Sequence, residues 1–240
     1  MVSEKGLPSY SEIENKPTYL SAPHDETHKK FKRFSSEIFP PDHEIVVTDS
    51  EYLNTRHTVF TVREGFSKYS GNTIVILDNE NKEVFNCHKK WFSNTTCIYD
   101  CSKMPVVSIH AGLSFKDIPY SYRSMKEISE RLDISSGKSK DGRYGRVEAK
   151  WCEDEETVYI AKYDNIFSKK REMLRIMSYG RSNYFVYSNG KRNETLICKF
   201  QFYTGKHMVI EVAPRVDYMY MISLCLGIHN LNALKSKNYC

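Results

Sequence analysis

The chain has 240 residues, of which 40% are hydrophobic and 13% aromatic, and its formal net charge at pH 7 is +5. This apolar content is enough for a packed core and excludes a chain that is disordered throughout. The length suits one large β domain or two small domains, and we expect one domain with a tail.

The cysteines and the first residues of the chain both help to predict the cellular compartment of the protein. The seven cysteines have no short regular spacing, and an odd count does not complete a disulfide framework. The first residues, MVSEKGLPSYSEIENKP, carry charges and lack the apolar segment of a secretory signal. We therefore expect reduced cysteines and a cytoplasmic protein.

Residues 1–40 have the composition of a disordered N-terminal arm, because they hold many charges, few apolar clusters and several prolines. Within them, HKKFKR at residues 28–33 is a short basic patch. Such a patch can attract anionic lipid or nucleic acid, but a charge run in a tail is more often simply solvated.

From Ile45 onward the chain changes to short β-branched and aromatic segments separated by polar turns. Many short strands with Asn, Asp and Gly between them are typical of an antiparallel meander. Ten candidate strands are EIVVT, TVFTV, TIVILD, EVFNCH, TCIYD, PVVSIH, TVYIAKYD, YFVYS, TLICKFQFY and HMVIEV.

Two of these hairpins repeat at a shift of 22 residues, which places Asp78 on Asp100 and His88 on His110. In each unit we expect the aspartate to close the first strand and to start the turn by bonding its own backbone. A third copy at residues 184–200 would turn at an Asn-Gly pair. Repeated hairpins of this kind suit a barrel.

Residues 121–157 interrupt the strand pattern and are interpreted as an insertion. Within them we expect a short helix over residues 122–132. Residues 135–144, which are rich in Gly, Ser and Lys, are expected to form a mobile surface loop.

Residues 211–237 are the most apolar stretch of the chain, and residues 218–228 within them lack any charge or amide side chain. Asp217 stands before residue 218 as a helix N-cap. Apolar side chains occupy every face of this helix, so it must be buried on every side. Its eleven uncharged residues would span roughly 16 Å, whereas a bilayer core is about 30 Å thick. We therefore expect a core helix and not a membrane span. Its structural residues are Asp217, Met221, Leu224 and Ile228.

Hairpins with an aspartate at the strand end, followed by VAPRVDYMYMISLCLGIHNL as a closing helix, resemble the LURP-one-related family of the tubby C-terminal-like superfamily. Phospholipid scramblases are also similar to this superfamily. The resemblance spans roughly residues 45–231 and rests on Asp78, Asp100 and the Pro214/Asp217 pair.

The resemblance implies a closed antiparallel barrel of about twelve strands around the buried C-terminal helix. The barrel domain would cover residues 41–234, with a tail at 235–240. Two features depart from the family: the insertion at 121–157, and residues 79–81, which stand where the family usually has a glycine.

No nucleophile elbow, P-loop, dinucleotide fingerprint or HExxH motif occurs in the sequence, so we expect no catalytic residues and no cofactor. The best metal-ligand candidates are Cys87, His88, Cys97, Cys101 and His110. Adjacent strand residues such as Cys87 and His88 point to opposite faces, and the paired spacing of structural zinc sites is missing, so we expect no metal site.

Residues 161–192 carry eight Lys and Arg against two acidic residues, a net charge of +6 that exceeds the +5 of the whole chain. Interleaved aromatics could sit at the headgroup level of a membrane while the cations bind phosphate oxygens. Because tubby-like domains bind phosphoinositides, the resemblance implies an anionic-lipid surface here. The candidate lipid-binding residues are Lys169, Lys170, Arg171, Arg175 and Arg181. The alternative is that these are solubilising charges on alternating strand positions.

We therefore expect a non-enzymatic monomer, peripheral to membranes, that binds anionic phospholipid headgroups or acts there as a protein-interaction module. One alternative is a scramblase-like membrane protein in which the terminal helix inserts, and another is an enzyme with an unrecognised site. Nucleic acid is a further polyanion that the basic segment could accept. No RNA-binding motif favours it.

Overall fold

A computed structural model describes residues 37–67, 71–89, 94–115, 128–137, 142–151, 157–180, 182–189, 194–203 and 207–238. Of the N-terminal arm expected over residues 1–40, residues 1–36 lie outside these ranges. Gly190, in the turn of the expected third hairpin copy, lies outside them too. A short 3-10 turn at Ser50–Tyr52 precedes the first strand. The strands are β1 Thr58–Ser67, β2 Gly71–Leu77, β3 Glu83–Lys89, β4 Thr95–Tyr99, β5 Pro105–Phe115, β6 Ile128–Ser136, β7 Arg143–Trp151, β8 Thr157–Asp164, β9 Arg171–Tyr179, β10 Asn183–Asn189, β11 Glu194–Tyr203 and β12 His207–Val212, and helix α1 is Tyr218–Asn238.

The twelve strands form a closed barrel in which each strand pairs antiparallel with the next one in the sequence. Strands β1 and β12 close it, with Phe60 opposite Ile210 and Val62 opposite Met208. All four of these side chains belong to the core cluster. The predicted antiparallel barrel of about twelve strands is therefore confirmed.

Helix α1 fills the interior of the barrel. Met221, Leu224 and Ile228 share one face of the helix and are fully buried, and Met219, Tyr220 and Ile222, which lie on the other faces, are fully buried too. The Tyr218 ring lies 5.3 Å from the ring of Phe60 on β1, and the Tyr220 ring lies 5.6 Å from that of Tyr163 on β8. Such contacts on several sides are what a helix with apolar residues all round requires. Within the described part of the chain, no helix combines the length and apolarity needed to cross a bilayer.

An irregular segment covers the start of α1, where the sequence predicts the strand EIVVT. That prediction is wrong: Ile45 makes a single parallel bridge with Val216 and no ladder follows. Instead, the main-chain N–H groups of Val47 and Thr48 donate to Asp217 Oδ2 at 3.0 Å and 2.6 Å. The apolar side chains of this segment are buried over the helix start, which explains its strand-like composition.

Asp217 caps α1 as its position predicts, because its Oδ1 accepts the main-chain N–H of Tyr220 at 2.9 Å. Burial raises the pKa of Asp217, while hydrogen bonds from Thr48, Tyr220 and Val47 oppose that rise. The same carboxylate therefore starts the helix and holds the covering segment.

The interpretation of residues 121–157 as an insertion with a helix at 122–132 is wrong where the structure describes them. Residues from Ile128 onward form β6, and β7 follows, so both are part of the barrel wall. Leu132 and Ile134 point inward and are fully buried, whereas Arg131 and Asp133 between them face outward. This alternation has the period of a strand, and only barrel closure buries the inner face. Strand β9 is also missing from the ten strands that the sequence predicts.

The repeated hairpin turns have the predicted aspartates at equivalent places. Asp78 Oδ1 accepts the N–H of Glu80 at 2.8 Å, and Asp100 Oδ1 accepts the N–H of Met104 at 2.8 Å. Asn81 and Lys103, again 22 residues apart, have φ of 60° and 61°. Asparagine tolerates this left-handed conformation better than most residues, so Asn81 can take the place of a glycine.

The turns 78–82, 100–104 and 165–170 lie at the end of the barrel where α1 begins, because successive antiparallel strands reverse direction. We call this the cap end. At the other end α1 continues past Leu234, so the tail expected from residue 235 begins inside the helix. Lys235 Nζ lies 2.5 Å from Oε1 of Glu130, whose carboxylate is buried inside the wall.

Candidate functional site

The turn between β8 and β9, residues 165–170, is held in shape by Asn165. The Asn165 side-chain oxygen accepts the main-chain N–H of Phe167 at 3.0 Å. The main-chain N–H of Lys169 donates to the Asn165 carbonyl at 2.9 Å, and the Asn165 N–H donates to the carbonyl of Lys170 at 2.9 Å. Lys169 has φ of 55°, so the turn needs one residue in the left-handed region. The polar residues of this turn thus fix its backbone.

Residues 166–170 of this turn are exposed and include both apolar and cationic side chains. Ile166 is 37% exposed and Phe167 is 49% exposed. Lys169 and Lys170 are also exposed, and neither ammonium pairs with a carboxylate among the described residues. Two other exposed apolar residues, Phe39 and Met104, also lie at the cap end. We call residues 165–170 the β8–β9 turn.

Glu172 holds the β8–β9 turn in place through contacts with four side chains. Its Oε1 accepts the hydroxyl of Ser168 at 2.7 Å, and its Oε2 accepts the Tyr163 hydroxyl at 2.9 Å and the Asn165 amide at 3.2 Å. His43 Nε2 lies 2.9 Å from the same Oε2. Burial tends to raise the pKa of Glu172, but hydrogen bonds from His43, Ser168, Asn165 and Tyr163 outweigh it and lower the pKa. A charged Glu172 therefore joins the covering segment to the turn.

A depression of about 220 Å³ on the outer wall adjoins the β8–β9 turn. It crosses β7, β8 and the start of β9, and Arg146, Lys162 and Met173 lie directly opposite one another on these three strands. We call this depression the cationic groove. Its lining residues are Arg143, Tyr144, Gly145, Arg146, Glu148, Lys162, Tyr163, Asp164 and Arg171.

Each cation of the groove has a carboxylate neighbour. Arg146 Nε lies 3.1 Å from Asp133 Oδ1, Lys162 Nζ lies 3.5 Å from Glu148 Oε2, and Arg171 Nε lies 3.6 Å from Asp164 Oδ1. Burial tends to raise the pKa of Asp133, but hydrogen bonds from Arg131 and Arg146 outweigh it and lower the pKa. The arginines and Lys162 are thus held in place by partly exposed ion pairs, and such pairs can exchange for a phosphate at small cost.

The structure divides the five residues that the sequence predicts for lipid binding. Lys169 and Lys170 lie in the β8–β9 turn, and Arg171 lies at the groove edge with 74% of its side chain exposed. Arg175 is engaged elsewhere: it pairs with Glu194, and its guanidinium carbon lies 5.3 Å from the ring centroid of Tyr187. Arg181 lies outside the described residues.

Two groove residues, Arg143 and Arg146, are missed by sequence reasoning because they lie in the segment interpreted as an insertion. Only the pairing of β7 with β8 brings them beside Lys162. The signal that could have found Arg146 is the alternation of Arg146, Val147 and Glu148. Arg143 lies an odd number of residues from Arg146, so this alternation does not indicate it. The sequence also gives no sign that Ile166 and Phe167 are exposed.

The candidate metal ligands are not brought together by the barrel. Cys87 belongs to the buried core cluster, whereas its neighbour His88 is exposed on the outer face. His110 bonds the Thr95 hydroxyl at 3.2 Å on that outer face. Cys101 is exposed in the turn at the cap end, and its Sγ lies 3.4 Å from the Val84 carbonyl. Within the ranges that the structure describes, no three His, Cys, Asp or Glu side chains form a group that could hold a metal ion.

Comparisons with known proteins give one family and one structure. A family model described as LURP-one-related matches residues 58–229. A solved X-ray structure of a protein from Arabidopsis thaliana is 19% identical, with a TM-score of 0.49, and the alignment covers 78% of this chain and 98% of that one. No curated protein sequence matches significantly.

Proposed function

The chain belongs to the LURP-one-related family, and on this premise we propose that it is a non-enzymatic cytoplasmic barrel that binds anionic phospholipid surfaces peripherally. One observation carries the proposal: Ile166 and Phe167 are exposed in the same short turn as the exposed cations Lys169 and Lys170. A solubilising surface has no need for the two apolar side chains. Adjacent apolar and cationic groups are what a membrane interface attracts.

The two kinds of side chain would act at different depths of the membrane. Phe167 and Ile166 would enter the boundary between headgroups and acyl chains, where each buried apolar group lowers the free energy. Lys169 and Lys170 would remain among the headgroups, where each cation contributes about 1 kcal/mol in the field of an anionic leaflet. Together the two cations would strengthen binding about 30-fold.

The cationic groove supports a ligand with phosphate oxygens beside that membrane contact. Arg143, Arg146 and Arg171 carry planar guanidinium groups that can bind phosphate in a bidentate way, and Lys162 adds a point charge. The groove adjoins the β8–β9 turn, so one headgroup could occupy it while the turn touches the bilayer. A phosphoinositide, which carries extra phosphates, would gain more from this arrangement than a lipid with one phosphate.

The position of α1 supports a peripheral contact over insertion of the terminal helix. Met221, Leu224 and Ile228 are fully buried within the barrel. A scramblase-like insertion would have to withdraw these side chains from the core and leave the barrel empty, at a cost of several kcal/mol for each large side chain.

Vesicle co-sedimentation tests the proposal. We expect the full chain to bind phosphatidylcholine vesicles that contain phosphatidylserine or a phosphoinositide, and to bind less as salt rises. Lys169→Glu/Lys170→Glu should reduce binding at least about 30-fold without lowering the melting temperature, because neither ammonium pairs with a carboxylate of the described residues. Arg63→Glu, an exposed outer-wall position on β1, is the charge control.

The apolar contribution has its own matched control. Phe167→Ser should weaken binding at every salt concentration, whereas Tyr203→Ser should not. Phe167 and Tyr203 are each 49% exposed, but Tyr203 lies at the opposite end of the barrel. If the wild-type chain ignores all vesicles, the membrane proposal is wrong and a protein-interaction module becomes the better account.

A further inference from the structure

Ser168 lies at the centre of the β8–β9 turn and is followed by Lys169, Lys170 and Arg171. Its hydroxyl donates to Glu172 Oε1 at 2.7 Å and accepts the main-chain N–H of Lys170 at 3.3 Å. Residues 166–171 are all exposed. We propose that Ser168 is a phosphorylation site for a protein kinase that recognises basic residues after the acceptor, and that phosphate there releases the barrel from anionic membranes. The release step rests on the proposed function.

The acceptor and its flanking charges have the chemistry that such a kinase needs. Kinases select substrates largely by complementary charge around the acceptor, and three consecutive cations follow Ser168 directly. The Arg171 side chain is 74% exposed and paired only at 3.6 Å with Asp164, which is itself exposed, so an acidic kinase surface can reach it. Ser168 is an exposed residue at the cap end of the barrel.

The modification is an ordinary phosphoryl transfer from ATP. The Ser168 oxygen attacks the γ-phosphorus and forms a new O–P bond, while the bond from that phosphorus to the β–γ bridging oxygen breaks and ADP leaves. The hydroxyl proton passes to the catalytic base of the kinase. The product is a phosphoserine with a charge of about −1.5 to −2 at pH 7.

Phosphate at this position would act on two sets of neighbours. It removes the O–H donor to Glu172 and places a second anion beside that carboxylate, which repels it. It also offers oxygens to Lys169 and Lys170 of the same turn and to Arg171 at the start of β9, so these cations become neutralised within the chain. Both effects weaken attraction to an anionic leaflet, as in other switches that release basic segments from membranes.

The experiment begins with the unmodified full chain on phosphatidylcholine vesicles with and without phosphatidylserine. The chain is then treated with ATP and a kinase of the protein kinase C class, and the modified residue is located by mass spectrometry. We expect phosphate on Ser168, no phosphate at that position in Ser168→Ala, and a drop in vesicle affinity of at least about tenfold after phosphorylation.

Variants that need no kinase give a second measurement. Ser168→Asp should bind vesicles less tightly than Ser168→Ala, because both variants lose the hydroxyl and only the aspartate adds a negative charge. Ser182→Asp, in the turn at the opposite end, is the matched control. Lack of phosphate on Ser168, or full binding by the phosphorylated chain, would overturn the inference. Failure of the unmodified chain to bind phosphatidylserine vesicles would overturn the membrane function and the release step together, and it is seen before kinase is added.

Discussion

Thr48 and Asp217 meet at the cap end through two hydrogen bonds, although 169 residues separate them in the sequence. The main-chain N–H of Thr48 donates to Asp217 Oδ2 at 2.6 Å, and the Thr48 hydroxyl donates to the same oxygen at 2.7 Å. Asp217 is fully buried, and its other oxygen caps α1. The helix inside the barrel and the segment that covers it are therefore held by one carboxylate.

Removal of this carboxylate should strongly destabilise the fold. Asp217→Ala would leave buried N–H groups of Val47, Thr48 and Tyr220 without an acceptor, and each costs about 1–3 kcal/mol. We expect a loss of at least about 3 kcal/mol in urea unfolding. Asp217→Asn keeps the volume and one acceptor oxygen, so its loss should be smaller. Equal stability of both variants and wild type would contradict this role for Asp217.

Gly145 lies directly against the hydroxyl of Tyr220. A Cβ at residue 145 would stand 2.5 Å from that oxygen and 3.0 Å from the Lys162 carbonyl oxygen. Among the described residues, the buried Tyr220 hydroxyl has no hydrogen-bond partner. The hydroxyl therefore adds volume without a compensating bond.

We expect Gly145→Ala to destabilise the chain by about 1–3 kcal/mol through overpacking, and Tyr220→Phe to have little effect. In the double variant the closest contact is gone, so part of the loss should be recovered. A double-mutant cycle of unfolding free energies measures this coupling. Strictly additive effects would mean that the alanine methyl does not meet the tyrosine hydroxyl.

The contact between His43 and Glu172 should make stability depend on pH. Partial burial lowers the pKa of His43, but its hydrogen bonds to Glu172 and Asp42 outweigh this and raise the pKa above the ordinary 6.5. The pKa of Glu172 is instead below its ordinary 4.5. The imidazolium is therefore stabilised by folding, and so is the Glu172 carboxylate.

The stabilisation from His43 is fully present below about pH 6.5 and is lost as pH rises through the folded pKa, whereas that from Glu172 is lost as pH falls below about 4.5. We expect wild type to exceed His43→Gln in melting temperature most between these two values, and the difference to shrink in alkaline solution. A difference that grows with rising pH would contradict the contact.

The sequence carried enough information for the architecture but not for every strand. The side chains of Asp78 and Asp100 accept hydrogen bonds from main-chain N–H groups of their own turns. A short stretch of sequence is therefore enough to predict these turns. Strand β6 holds Glu130 on its inner face, and Lys235, from the far end of the chain, pairs with it there. Strand β9 is built from Met, Leu, Arg and Ile, which favour helices as much as strands.

The sequence predicts the candidate site only where its residues are adjacent in the chain. Lys169, Lys170 and Arg171 are consecutive and stand out as a charge cluster. The engagement of Arg175 with Glu194 depends on the pairing of β9, β10 and β11, which no short motif specifies. Phe167 is exposed in a turn where its main-chain N–H donates to the Asn165 side-chain oxygen. Tertiary pairing therefore decides which of the predicted cations are available to a ligand.

The most direct test of the membrane contact is the environment of residue 167. We would replace Phe167 with Trp and record its emission after subtracting that of wild type, which contains Trp91 and Trp151. With phosphatidylserine vesicles, we expect the emission to shift to shorter wavelength and to be quenched by lipids brominated in the acyl chains. Unshifted, unquenched emission under conditions where the protein sediments with these vesicles would contradict insertion of the β8–β9 turn.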